Sequence, residues 1–335
     1  MPPKISVIIP VYNVEKYIER AVRSAINQTF KDIEILIIDD CGQDNSMQIA
    51  EDFAKADSRI KILKHEKNKG LGEARNTGIE QAEGDYICFL DSDDYIEKEL
   101  LEITYETARR ESADIVAFGS QTVYDDNKKQ LFLSSSLNPA CNLEALELLS
   151  ENKIGFMAWD KLYRTKLLSD FNIRFLPILH EDITFAIENI YHSSKTVVIP
   201  DIFYNYFQRE SSLSNIKKVD ERYFKSYFEV VKQVSKFVDE KNIYKESPDT
   251  ARLIERGILI WLLNRITAYY SYGMEKGETD LLFSVLYETF GSNGYFIYSM
   301  FEFILELTGA KPVDEKTVKM RIRDKLKKII RSFLK

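Results

Sequence analysis

Three cysteines in 335 residues, Cys41, Cys88 and Cys141, are too few and too odd in number for a disulfide framework. None stands at the spacing of a zinc site, so a reducing cytoplasm is the expected setting. Long apolar runs are missing as well. No stretch approaches the roughly 18 uninterrupted apolar residues of a membrane span, so the chain is expected to be soluble or peripheral. The opening MPPKISVIIPVYN puts polar residues directly before a strand pattern, with no apolar segment ending in a cleavage site, and is read as unsecreted. Glycine is absent from PVYNVEKY, the segment after the first strand pattern. That removes the glycine-rich phosphate loop a nucleotidyltransferase would carry there, and with it the usual place of a dinucleotide fingerprint.

What is present is ordinary globular composition, 44% apolar and 30% charged, long enough for one catalytic domain and a helical extension. The net charge of -7 is unevenly spread. Residues 314–335 hold nine Lys or Arg against three Asp or Glu, which leaves -13 on the rest. An acidic body argues against nonspecific nucleic-acid binding, which depends on neutralising phosphates. In the tail Ile322, Leu326, Ile329, Ile330 and Phe333 share one helical face, and Lys and Arg occupy the others. Two readings stay open: a basic amphipathic helix on an anionic membrane, or a terminal helix packed on its neighbours.

Apolar, β-branched runs at 5–9, 34–40, 59–63 and 85–91 alternate with helical periodicity at 14–26, around 47–53 and at 72–82, with Asn13 available to cap the first helix. A helix at 97–112, a strand at 114–124, a long loop, helices at 160–169 and 182–193 and a strand at 196–206 follow. The alternation predicts an α/β domain over 1–215, a mostly parallel sheet with helices on both faces, and a helical region over 216–335. Ligands then belong at the carboxyl ends of the strands.

Two strand ends carry acids: Asp39 and Asp40 close one run, and Asp91, Asp93 and Asp94 close another as LDSDD. Alternating carboxylates are hard oxygen ligands suited to Mn²⁺ or Mg²⁺ held together with a diphosphate, although turn and helix-capping roles account for the same residues. GLGEAR follows a strand and opens a helix, but Arg75 stands where a dinucleotide fingerprint needs its third glycine. HEDITF places Glu181 and Asp182 in the first turn of a helix, where acids also favour the helix dipole.

Taken in order, IIPVYN, IDDCGQDNS, GLGEARNTGI and FLDSDD resemble the family-two glycosyltransferases over roughly residues 4–210. The resemblance implies a GT-A nucleotide-sugar-binding domain and inverting transfer of a hexose or N-acetylhexosamine from a UDP-sugar. The acceptor it implies is an oligosaccharide or glycolipid, as in lipopolysaccharide or capsule synthesis at the cytoplasmic face of a membrane. By the same resemblance, Pro10, Val11, Tyr12 and Asn13 lie at the donor, with the Tyr12 ring on the base. Asp40 accepts the uracil N–H, and Arg75, Ser92 and Arg209 lie by the diphosphate or sugar. Asp91 and Asp93 hold the metal, Asp182 is the general base with Glu181 in support, and Trp159, Asp160 and Lys161 meet the acceptor. A noncatalytic nucleotide- or carbohydrate-binding protein is the alternative from another class.

Overall fold

The computed structural model describes residues 2–124, 129–132, 137–151, 153–208 and 221–271. Arg209 and the basic tail 314–335 lie outside them. Contacts divide the chain into two compact units, one of 1–218 with 233–258 and the other of 219–232 with the residues from 259 on. Every site residue discussed below belongs to the first.

The elements run β1 (Ile5–Val11), α1 (Ile18–Ile26), β2 (Ile33–Asp39), α2 (Ser46–Ala56), β3 (Ile60–Lys64), α3 (Leu71–Gln81), β4 (Tyr86–Phe89), β5 (Tyr95–Ile96) and α4 (Leu100–Glu111). Then come β6 (Ile115–Val123), β7 (Lys129–Phe132), α5 (Asn142–Ser150), a 3₁₀ turn (Ala158–Asp160), β8 (Lys161–Arg164), α6 (Thr165–Asp170), α7 (Glu181–His192) and β9 (Thr196–Phe207). Helices α8 (Glu221–Glu240), α9 (Ile243–Glu246) and α10 (Pro248–Ser271) end the described chain. None of the described helices is long and apolar enough to cross a membrane.

One sheet takes the order β3-β2-β1-β4-β8-β6-β9-β5, with β7 on β6. All seven residues of β1 are buried, as a β-branched strand covered on both faces must be. It pairs in parallel with β2 and β4, and β2 pairs in parallel with β3. This is the parallel half that the alternation predicts. Beyond β4 the sheet is mixed, and over the whole sheet four strand pairs are parallel and four antiparallel. The strand that makes the change is β8, antiparallel to both β4 and β6.

Two local expectations are corrected. The segment expected as a helix at 160–169 is strand β8 followed by the short α6, because Leu162 and Tyr163 are needed between two sheet neighbours and are fully buried there. Asn13 does not cap α1, which begins at Ile18. Its backbone is left-handed (φ 52°) and its Oδ1 accepts the Gln43 N–H at 2.7 Å. Val14 N–H likewise donates to Ser46 Oγ at 2.9 Å, so the loops after β1 and β2 are tied together.

Helix α3 lies close on β1: a Cβ at Gly78 would sit 2.4 Å from Ile8 Cγ2. Phe89, Tyr163, Phe175 and Phe185 pack as one aromatic cluster, Phe175 stacked on Phe185 with centroids 3.8 Å apart. The Arg75 guanidinium lies over Phe175, 5.2 Å from its ring centre. The core thereby reaches directly under the acidic edge.

Candidate active site

Register brings the ends of β1, β2 and β4 to one edge. Val11 pairs with Asp39, the Asp40 N–H donates to the Val11 carbonyl at 3.0 Å, and Leu90 N–H donates to the Ile8 carbonyl at 2.9 Å. Of the expected donor residues on β1, Pro10 and Val11 are buried in the strand, while Tyr12 (48% exposed) and Asn13 face outward. An exposed tyrosine at a strand end offers a free aromatic face.

Asp40, expected to meet the base, is turned inward. It is 3% exposed, and its carboxylate accepts Lys69 N–H at 2.8 Å and Gly70 N–H at 2.9 Å, with His65 Nδ1 2.7 Å away. His65 Nε2 lies 2.8 Å from Thr77 Oγ1 on α3. Asp40 and His65 thus anchor the approach to α3, a role for His65 that no motif announced. Asp39, only partly buried, is the outer carboxylate of the pair.

Residues Asp91–Asp94 form a turn closed by Asp94 N–H on the Asp91 carbonyl at 3.0 Å. Exposure alternates through it: Asp91 and Asp93 are partly open, Ser92 and Asp94 buried. Asp94 is fully buried and accepts Tyr204 O–H at 2.8 Å and Phe207 N–H at 2.7 Å. Burial, then the charges of Asp93 and Asp91, push its carboxyl well above the usual range. Arg20 Nη2 donates to the Asp93 carbonyl at 2.6 Å. Among the described residues no group of three His, Cys, Asp or Glu could hold a metal by itself. Two hard oxygen donors on the open side of the turn do fit a cation completed by ligand oxygens.

The second acidic element is the start of α7. Arg75, 1% exposed, donates from Nη1 to Glu181 at 2.9 Å and Asp182 at 2.5 Å, and from Nη2 to Asp91 at 2.8 Å. The guanidinium thereby joins the two acidic elements. Without that cation the carboxylates would repel one another across a buried space. Burial raises Glu181 to about 7, helped by the charge of Asp182 and opposed by Arg75. Asp182 is also raised by burial, against the pull of Arg75 and an N–H from Ala158.

The three expected acceptor residues are all buried. Lys161 is fully buried, and its ammonium donates to the Gly155 carbonyl at 2.6 Å, the Met157 carbonyl at 2.9 Å and the Asp160 carboxylate. All three of its N–H donors are engaged. Asp160, 6% exposed, packs so tightly on Gly155 that a Cβ there would lie 1.9 Å from Oδ2. Trp159 is 8% exposed and stacks on Tyr204 at 4.1 Å and 13°. These residues form the footing of the turn that packs against α7, the helix that carries Asp182.

Comparison with known proteins gives the family. Residues 6–170 match the family model described as glycosyl transferase family 2, which stops short of Glu181 and Asp182. EpsJ of Bacillus subtilis (strain 168), an uncharacterized glycosyltransferase, is 35% identical over 240 residues, 68% of this chain and 68% of that protein. The cholesterol galactosyltransferase of Borreliella burgdorferi is 34% identical over 223 residues, 63% of this chain and 62% of its own. The crystal structure of S. aureus TarS 1-349 in complex with UDP-GlcNAc superimposes with a TM-score of 0.70 at 25% identity, over 89% of this chain and 81% of that one. With its α/β sheet matching a GT-A structure and its sequence matching curated transferases, this chain belongs to glycosyltransferase family 2.

Proposed function

We propose that the chain transfers a hexose or N-acetylhexosamine from a UDP-sugar to a hydroxyl of an oligosaccharide or glycolipid acceptor, with inversion at the anomeric carbon. One observation carries the reading: Arg75 joins Asp91 of the strand-end turn to Asp182 of α7 at 2.8 and 2.5 Å, as a site with a leaving-group side and a base side would require. UDP as the nucleotide is supported by the TarS complex with UDP-GlcNAc.

The exposed ring of Tyr12 suits stacking on the base, next to the partly open Asp39. Asp93 and Asp91 would hold Mn²⁺ or Mg²⁺, and a cation bound there supplies charge neutralisation for the departing diphosphate. Opposite them Asp182 takes the acceptor proton as the hydroxyl oxygen bonds to the anomeric carbon and the bond from that carbon to the diphosphate oxygen breaks. Burial makes Asp182 a stronger base than an exposed aspartate, and Arg75 keeps it available in the ionised form. Glu181, raised to about 7, shares the same guanidinium and supports that balance. The acceptor is read as lipid-linked, met at the cytoplasmic face of a membrane in the synthesis of a surface polysaccharide such as lipopolysaccharide or capsule.

The test is UDP release from a panel of UDP-sugars, with free and lipid-linked oligosaccharides, in manganese and in a chelator. Metal-dependent, acceptor-stimulated release is expected. Asp182→Asn should lower turnover by at least about 10²-fold, the scale of general-base catalysis, with UDP affinity kept. Wild-type turnover in that variant would remove Asp182 from the mechanism.

A further inference from the structure

The Asp91–Asp94 turn is held mainly from β9, more than 100 residues away in sequence, and one side chain makes most of that connection. The Tyr204 hydroxyl accepts the Asp91 N–H at 3.1 Å and donates to Asp94 Oδ2 at 2.8 Å, so it spans both ends of the turn. The same ring is fully buried and stacks on Trp159 at 4.1 Å. Trp159 in turn belongs to the 3₁₀ turn Ala158–Asp160, which packs against α7, the helix that carries Asp182. The pairing of β9 with β6 changes register twice between Ala117 and Ser120, immediately ahead of Tyr204. Irregularities of this kind re-aim the side chains that follow them.

We infer that Tyr204 is a positioning residue for the transfer: its hydroxyl fixes the carboxylates of the strand-end turn, and its ring fixes the turn beneath Asp182. The inference rests on the reading of Asp91 and Asp93 as the metal and diphosphate side. As a fully buried side chain, Tyr204 would act at one remove from the substrate. It acts through the backbone N–H of Asp91 and the buried carboxylate of Asp94, and Asp94 is held a second time by Phe207 N–H, three residues along the same strand. A shift of this turn by a few tenths of an ångström moves both open carboxylates together, because they are two residues apart on one short turn.

Tyr204→Phe keeps the ring and its stack and removes only the hydroxyl. In the full chain, UDP affinity is measured by calorimetry with manganese and with a chelator, alongside kcat, KM and thermal stability. The expected result is about tenfold weaker manganese-dependent UDP binding and lower kcat, with metal-free UDP binding unchanged; one buried hydrogen bond is worth about that factor. Asp94→Asn breaks the same pair from the other side and should reproduce the loss, with the double variant falling well short of the product of the two. Val198→Ala, at a buried position elsewhere on β9, supplies the comparison for lost stability alone and should leave manganese-dependent affinity unchanged. The inference is overturned if Tyr204→Phe binds UDP with manganese as the wild type does, or if Val198→Ala loses as much affinity for the same fall in melting temperature. Asp93→Ala, run in parallel, separates the two levels. If it too leaves manganese-dependent binding intact, the metal reading fails and the inference with it; if it abolishes that binding while Tyr204→Phe has no effect, only the inference fails.

Discussion

Arg75→Met should be the most damaging single change in the acidic centre, and its damage should depend on pH. The guanidinium is 1% exposed and serves Glu181, Asp182 and Asp91 at once, so removing it leaves three carboxylates facing one another without a counter-charge. Breaking a buried ion pair by deleting one partner costs about 3–5 kcal/mol. Glu181 sets the sign of the pH effect. Its folded pKa of about 7 lies above the 4.5 of an unperturbed glutamate, so it favours the fold while protonated. That contribution is complete below about pH 4.5 and is lost as pH rises through 7, a change of about 3 kcal/mol for this group in the wild type. Arg75 opposes the upward shift, so deleting it carries the pKa higher and widens the loss toward alkaline pH. Urea unfolding of wild type and variant at pH 5 and pH 8 measures this. The expected deficit is the full 3–5 kcal/mol at pH 8 and about half of it or less at pH 5. Adding Glu181→Gln to the variant should recover part of the deficit at pH 8. Equal deficits at the two pH values would refute the electrostatic account and leave lost packing on Phe175 as the cause.

Lys161→Met should cost about 3–5 kcal/mol by chemical denaturation, because Asp160 and two backbone carbonyls lose their donor in a closed space. Turnover should fall with it, since the turn it supports packs against α7, which carries Asp182. Gly78→Ala places a methyl 2.4 Å from Ile8 Cγ2, so helix α3 must move off β1. A loss of about 1–3 kcal/mol is expected, read as a fall in melting temperature; an unchanged melting temperature would mean that α3 is not seated as described.

The parallel half of the sheet and its acidic edge were legible because the signals are local. Strands such as ISVII and EILII are runs dominated by Ile and Val, and each is followed by the polar residues that make the edge. What stayed hidden depends on distant partners. Strand β8 has four residues, KLYR, with two charges, and only its place between β4 and β6 makes it a strand. Arg75 meets Glu181 across 106 positions, and no periodicity in either segment announces it. Lys161 carries a charge on a long stem, which reads as exposed in any sequence; its three acceptors exist only once Gly155 and Met157 fold over it. Asp40 was recognisable as a site carboxylate, but which way it turns depends on His65, Lys69 and Gly70, contributed by the loop after the next strand.

Strand β3 lies at the end of the strand order, next to β2, and so leaves one side of its backbone without a neighbour in the described sheet. Such an edge is a template on which another chain can lay a strand. Here it is only five residues long, and Lys61 and Lys64 are both exposed along it. Each is held in place by acids, Lys61 by Glu34 and Glu83 and Lys64 by Glu51. An incoming strand would have to bury those charges or break their pairs, a barrier that shields folded chains from edge-to-edge aggregation at high concentration.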